Sequence, residues 1–119
     1  MNRLFIIVMS CICASNAMAD YSSHQFHHMN IGLSKCKSIA IDAAVKNGFA
    51  NPQAQEFTFS SGSYSVIYGT NNEGYSFQYT CEPKKGFGYL IVNGSQVDKK
   101  SNIRNSLGEE IQNMINKSK

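Results

Sequence analysis

Tryptophan is absent from this sequence, proline occurs twice, and only 16% of the residues are charged. The scarcity of proline excludes a polyproline segment, and no low-complexity tract or internal repeat is present. Basic residues nowhere run beyond the pairs Lys84-Lys85 and Lys99-Lys100, so the electrostatic footprint of a nucleic-acid or anionic-membrane binder is missing. No histidine follows residue 28 and there is no Gly-x-Ser-x-Gly elbow, which leaves a serine triad without its base. Glu109 and Glu110 are adjacent on a helical pattern and therefore point apart, unlike the facing carboxylates of a glycosidase. Asp42, Glu56, Glu73 and Glu82 fall at scattered polar positions, where solvated surface is the ordinary role. These absences argue against an enzyme and imply no cofactor.

One long apolar stretch is present, at the start. In MNRLFIIVMSCICASNAMA, Arg3 supplies a positive beginning, Leu4 to Val8 an apolar run, and Ala17-Met18-Ala19 a small-x-small site. That is the pattern of an export signal covering residues 1–19, cleaved after Ala19, and it predicts a periplasmic or secreted protein. A rival reading takes Cys11 or Cys13 as a lipid-modified lipoprotein cysteine. The leader is shorter than the roughly 20 apolar residues of a spanning helix, and no later segment approaches that length. No transmembrane segment is expected after cleavage. Loss of the leader removes Arg3 and no acidic residue, lowering the formal charge from +3 to +2.

Cleavage also removes Cys11 and Cys13 and leaves Cys36 and Cys81. In an oxidising compartment these are expected to bond. No Cys-x-x-Cys spacing supports a redox site. A domain of about 100 residues has a modest core and benefits from such a staple.

Residues 20–30, DYSSHQFHHMN, are polar without periodicity and read as a flexible arm, leaving 31–119 as a single domain. The arm holds His24, His27 and His28, imidazoles of the kind that ligate transition metals; on a helix His24 and His28 would share a face. From Leu33 to Lys46, Cys36, Ile39, Ala40, Ala43 and Ala44 recur at helical spacing, with Ser34 as candidate cap and Asn47-Gly48-Phe49 as stop. Four strand-like runs follow, at 55–60, 63–70, 74–82 and 87–93, separated by short turns that favour antiparallel hairpins. In the third, Tyr75, Phe77, Tyr79 and Cys81 alternate with polar residues. A second amphipathic helix over 98–117 carries Ile103, Leu107, Ile111, Met114 and Ile115, with Asp98 or Ser101 as cap and Gly108 in its middle. The expected fold is α+β: a four-stranded antiparallel meander with both helices on one face, in the order α-β-β-β-β-α, closed by Cys36–Cys81.

Such a sheet leaves its other face open, and the domain is rich in rings. Tyr89 and Ile91 alternate with Leu90 and Val92, so one apolar set must look away from the helices. Tyr64, Tyr68, Tyr89 and Ile91 are the candidate partner-binding residues, since tyrosine offers large rigid contact area. The arm folding over this face, or two copies pairing there as a homodimer, would equally cover it. Ser61-Gly62-Ser63-Tyr64 resembles the Ser-Gly loop of periplasmic lysozyme inhibitors over four residues, but two helical stripes depart from their mostly β fold, and no family is assigned. The reading is a small exported, non-enzymatic protein that recognises an envelope or secreted protein as an inhibitor, immunity protein or adaptor. The alternative is a small-ligand or metal-binding module using the His24, His27 and His28 arm or an aromatic pocket between sheet and helices.

Overall fold

A computed structural model describes residues 21–60 and 62–118; the expected leader and cleavage site, with Cys11 and Cys13, lie outside the described residues. The first described element is β1 (Tyr21–His28), followed by α1 (Leu33–Lys46), β2 (Gln53–Phe59), β3 (Gly62–Thr70), β4 (Ser76–Glu82), a 3-10 turn (Pro83–Lys85), β5 (Phe87–Gly94) and α2 (Val97–Lys117). The sheet order is β1-β5-β4-β3-β2, with every neighbouring pair antiparallel. The four expected strands form the expected meander, and both helices lie on one face, α1 over β3 and β4 and α2 over β1 and β5.

The sheet has five strands, not four. The segment expected to be a flexible arm is β1, paired along its length with β5 from Tyr21 opposite Gly94 to His28 opposite Phe87. Its alternation escapes a hydrophobicity pattern because its inward residues are polar. Ser23 and His27 are buried, and each has a partner: Arg104 donates to Ser23 Oγ at 2.7 Å, and His27 contacts Tyr79 and Gln25. Buried polar groups are tolerated where hydrogen bonds replace the lost water.

Helix α1 has the boundaries its periodicity predicts. Gly32, rather than Ser34, stands at its N-cap, without a side-chain bond. At the other end Gly48 takes φ +91°, Gly48 N–H donates to Val45 at 3.2 Å and Phe49 N–H to Ala44 at 3.0 Å. This is the paired bonding of a Schellman stop, which satisfies carbonyls the last turn leaves free. Phe49 is then fully buried and meets Phe77 edge-on at 4.7 Å. Ala40, Ala43 and Ala44 are fully buried on the helix face, and their small side chains bring α1 close enough to β4 for Cys36 and Cys81 to bond.

Helix α2 begins one residue before the expected start. Gln96 is its N-cap with no side-chain bond, and Asp98 sits in the first turn, where a carboxylate complements the helix dipole. Leu107, Ile111 and Ile115 are fully buried. Gly108 serves close approach: a Cβ there would come within 2.8 Å of Gln25 Cδ and 3.3 Å of His27 Nε2. The missing side chain lets α2 lie down on β1.

Candidate functional site

Strand alternation places Tyr64, Tyr68, Tyr89 and Ile91 together on the face away from the helices. The register builds that face in rows: Phe26, Tyr89, Thr80, Val66 and Gln55 across all five strands, and beside them His24, Ile91, Gln78, Tyr68 and Gln53. Two ring clusters stand on it. Over β1 and β5, Phe26 lies 4.5 Å from Tyr89 and 5.8 Å from Phe87, and His24 lies 5.5 Å from Tyr89. Over β2 and β3, Tyr64 stacks between Phe57 at 4.8 Å and Phe59 at 5.7 Å. Phe26 is 67% exposed, Phe59 57% and Tyr68 43%.

The four residues chosen from sequence are therefore part of a larger, ring-rich surface. Phe57 and Phe59 alternate within their strand and were legible as a pair; Phe26 and its contact with Phe87 depend on β1, which sequence periodicity does not reveal. Charge is scarce on this face. Among its described residues the carboxylate of Glu82 is the sole acid; Lys85 Nζ lies 3.4 Å from it, and Lys84 and Lys85 border this corner of the face beside Phe59 and Tyr64. The amino-terminal segment does not fold over the face; it extends it by one strand.

The histidines are not brought together. On a strand, side chains alternate: His27 faces the helices, while His24 and His28 share the open face about 13 Å apart along the strand at roughly 3.3 Å per residue. His24 contacts the Tyr89 hydroxyl. Among the described residues no group of three His, Cys, Asp or Glu side chains is placed to hold a metal. The space between sheet and helices, the other site considered for a ligand, is filled by Tyr79, Phe77 and Phe49, each at most 2% exposed.

His27 instead joins β1 to the core. An amide oxygen only accepts, so Nε2–H donates to Gln25 Oε1 at 2.9 Å, and Nδ1 accepts the Tyr79 hydroxyl at 3.1 Å. Burial lowers the His27 pKa from 6.5 to about 4 and pushes that of Tyr79 up. The folded state thus holds this imidazole neutral, while the unfolded chain takes up a proton near pH 6.5. Stability present above pH 6.5 is lost as pH falls from about 6.5 to about 4, by roughly 2–3 kcal/mol in total. Urea unfolding of the His27→Gln variant should show a flatter dependence across that window than the wild type. Parallel pH profiles would remove His27 as the cause.

The remaining acids are dispersed, several of them beside lysines: Glu56 contacts Lys37, Glu73 contacts Lys99, and Glu110 lies 3.2 Å from Lys46. A groove of about 550 Å³ runs between β1 and α2, bordered by Gln25, Phe26, Glu109 and Gln112. Gly62 closes the β2–β3 hairpin at φ +134°, with the Lys84 side chain laid across it; Ser61 is outside the described residues. Among the described residues no helix is long and apolar enough to cross a membrane. The chain matches no protein-family model and no curated protein sequence.

Proposed function

We propose that this protein works outside the cytoplasm by binding another protein, without catalysis, through the open face of its sheet. The observation that carries this reading is a five-stranded face bearing seven aromatic side chains besides His24 and His28, among them Phe26, Phe57, Tyr68 and Tyr89, with Glu82 as its one acid. Covering such rings releases water at about 25 cal/mol per Å² of apolar area, so burial of three of them supplies several kcal/mol of binding free energy. The ladder of Gln78, Thr80, Gln55 and Gln53 beside the rings supplies hydrogen-bonding groups for orientation. Export rests on residues 1–19, and an inhibitor, immunity or envelope adaptor role suits a small domain of this kind.

The test is site-specific photo-crosslinking in the producing cell. A benzophenone amino acid at Phe26, Tyr68 or Tyr89 should give one discrete adduct with a different protein. The same probe at Ser38 or Asn102, exposed on the helix side, should give none. Adducts confined to the helix side, absent everywhere, or of twice the chain's own mass at the open-face positions would overturn the reading. The amino-terminal mass of the recovered chain should correspond to a start at Asp20; an acylated start at Cys11 or Cys13 would replace free export by anchoring.

A further inference from the structure

The outer edge of β2 is built to receive another strand. Six of its seven residues are exposed, because α1 packs on β3 and β4 and stops short of it. Long edges of this type are ordinarily blunted by lysine, proline or a bulge. Within Gln53–Phe59 there is no proline, lysine or arginine, its ladder with β3 runs without a bulge, and its one charge, Glu56, contacts Lys37.

We propose that β2 pairs antiparallel with β2 of a second copy of this chain, about a two-fold axis normal to the sheet at Phe57. Such an axis keeps the helix face and the open face of the two copies continuous, so only registers pairing residues of the same face are allowed. Centring on Glu56 would set two carboxylates opposite one another. Centring on Phe57 pairs residues 55–59, placing Phe57 against Phe57, Gln55 against Phe59 and Glu56 against Thr58. Phe57 already stacks on Tyr64 at an interplanar angle of 14°. Dimerisation thus prolongs an existing cross-strand pair into a row of four rings, Tyr64-Phe57-Phe57-Tyr64. The other edge, β1, is flanked by Glu109 of α2, and pairing there would bring two such carboxylates toward each other. The two open faces become coplanar in the β2 dimer, leaving the proposed recognition surface uncovered and doubled.

Sedimentation velocity from micromolar to millimolar concentration should show a monomer–dimer equilibrium. Phe57→Lys should weaken it at least about tenfold by setting two ammonium groups face to face, with the melting temperature near that of wild type, and Phe26→Lys should leave it unchanged. In a background with Cys11 and Cys13 replaced by serine, oxidised Phe57→Cys should form an intermolecular disulfide, whereas Glu56→Cys, facing Thr58, should not. If Phe57→Lys fails to fold, the cysteine pair decides. A monomer at millimolar concentration, a dimer broken by Phe26→Lys, or crosslinking through Glu56→Cys would overturn the proposal and leave the open-face reading standing.

Discussion

Replacement of Cys36 by alanine should lower the melting temperature in oxidising buffer by tens of degrees, and by little once reductant has opened the wild-type bridge. The bond joins α1 to β4 across 45 residues, and both cysteines are essentially fully buried. Closing a loop of that size withdraws about 4 kcal/mol of entropy from the unfolded chain, an amount that strain or residual structure often reduces. In a domain of about 100 residues, each kcal/mol moves the midpoint by roughly 4–8 °C. The effect is large because the contact it replaces is small. The inner face of α1 is mostly alanine, apart from Cys36 and Ile39, and alanines bury little area for the entropy of ordering a helix. Without the bond, α1 should exchange its amide hydrogens earlier than β4 and β5 do. Equal melting of wild type and Cys36→Ala in oxidising buffer would show that the bridge contributes nothing.

Gly88→Ala should be nearly as damaging, though it adds one methyl group. Gly88 lies in β5 between Cys81 of β4 and His27 of β1, where the ring of Tyr79 passes over it to reach His27. An added Cβ would overlap the Tyr79 hydroxyl, and would stand 2.5 Å from Tyr79 Cζ and 2.7 Å from Met29 Cε. Tyr79 is fully buried and has nowhere to retreat, so the ring must swing away and abandon its bond to His27. Overpacking of this kind costs about 1–3 kcal/mol, and the lost hydrogen bond adds roughly 1 kcal/mol. Urea denaturation should therefore give a loss of about 3 kcal/mol for Gly88→Ala. The double variant Gly88→Ala/Tyr79→Leu, whose shorter side chain clears the methyl, should be more stable than the sum of the two single changes predicts. A Gly88→Ala protein within about 0.5 kcal/mol of wild type would contradict the packing described, since that is the range of harmless surface changes.

The legible parts of this fold are those where one physical signal dominates. Cys36, Ile39, Ala40, Ala43 and Ala44 repeat at helical spacing and end at a Gly-Phe stop, so α1 is recovered to the residue. Tyr75, Phe77, Tyr79 and Cys81 alternate, and all four are buried, which fixes the face of β4 and with it the partner of Cys36. That the open face carries Tyr64, Tyr68, Tyr89 and Ile91 follows from the same alternation. Strand β1 was illegible for the opposite reason: Ser23, Gln25 and His27 turn inward and are held by Arg104, Tyr79 and one another, an arrangement that no hydropathy pattern encodes. The histidines consequently read as part of a flexible arm, whereas they stand on a strand paired with β5. The stabilising role of His27 depends on Tyr79, 52 residues away, and the reason for a glycine at position 108 appears only once Gln25 lies beneath it.

The position of β1 beside β5 has a temporal consequence. A polypeptide emerging amino end first, whether from a ribosome or through a translocation pore, presents β1 at the outset and its hydrogen-bonding mate near the end. The cover over that mate, α2, arrives later still. The opening strand must wait, unpaired, for almost the whole chain to appear, so the finished sheet cannot assemble behind a partly threaded molecule. Long-range closure of this sort slows folding, and if the chain is exported unfolded, as proposed, that delay would keep it fit for passage.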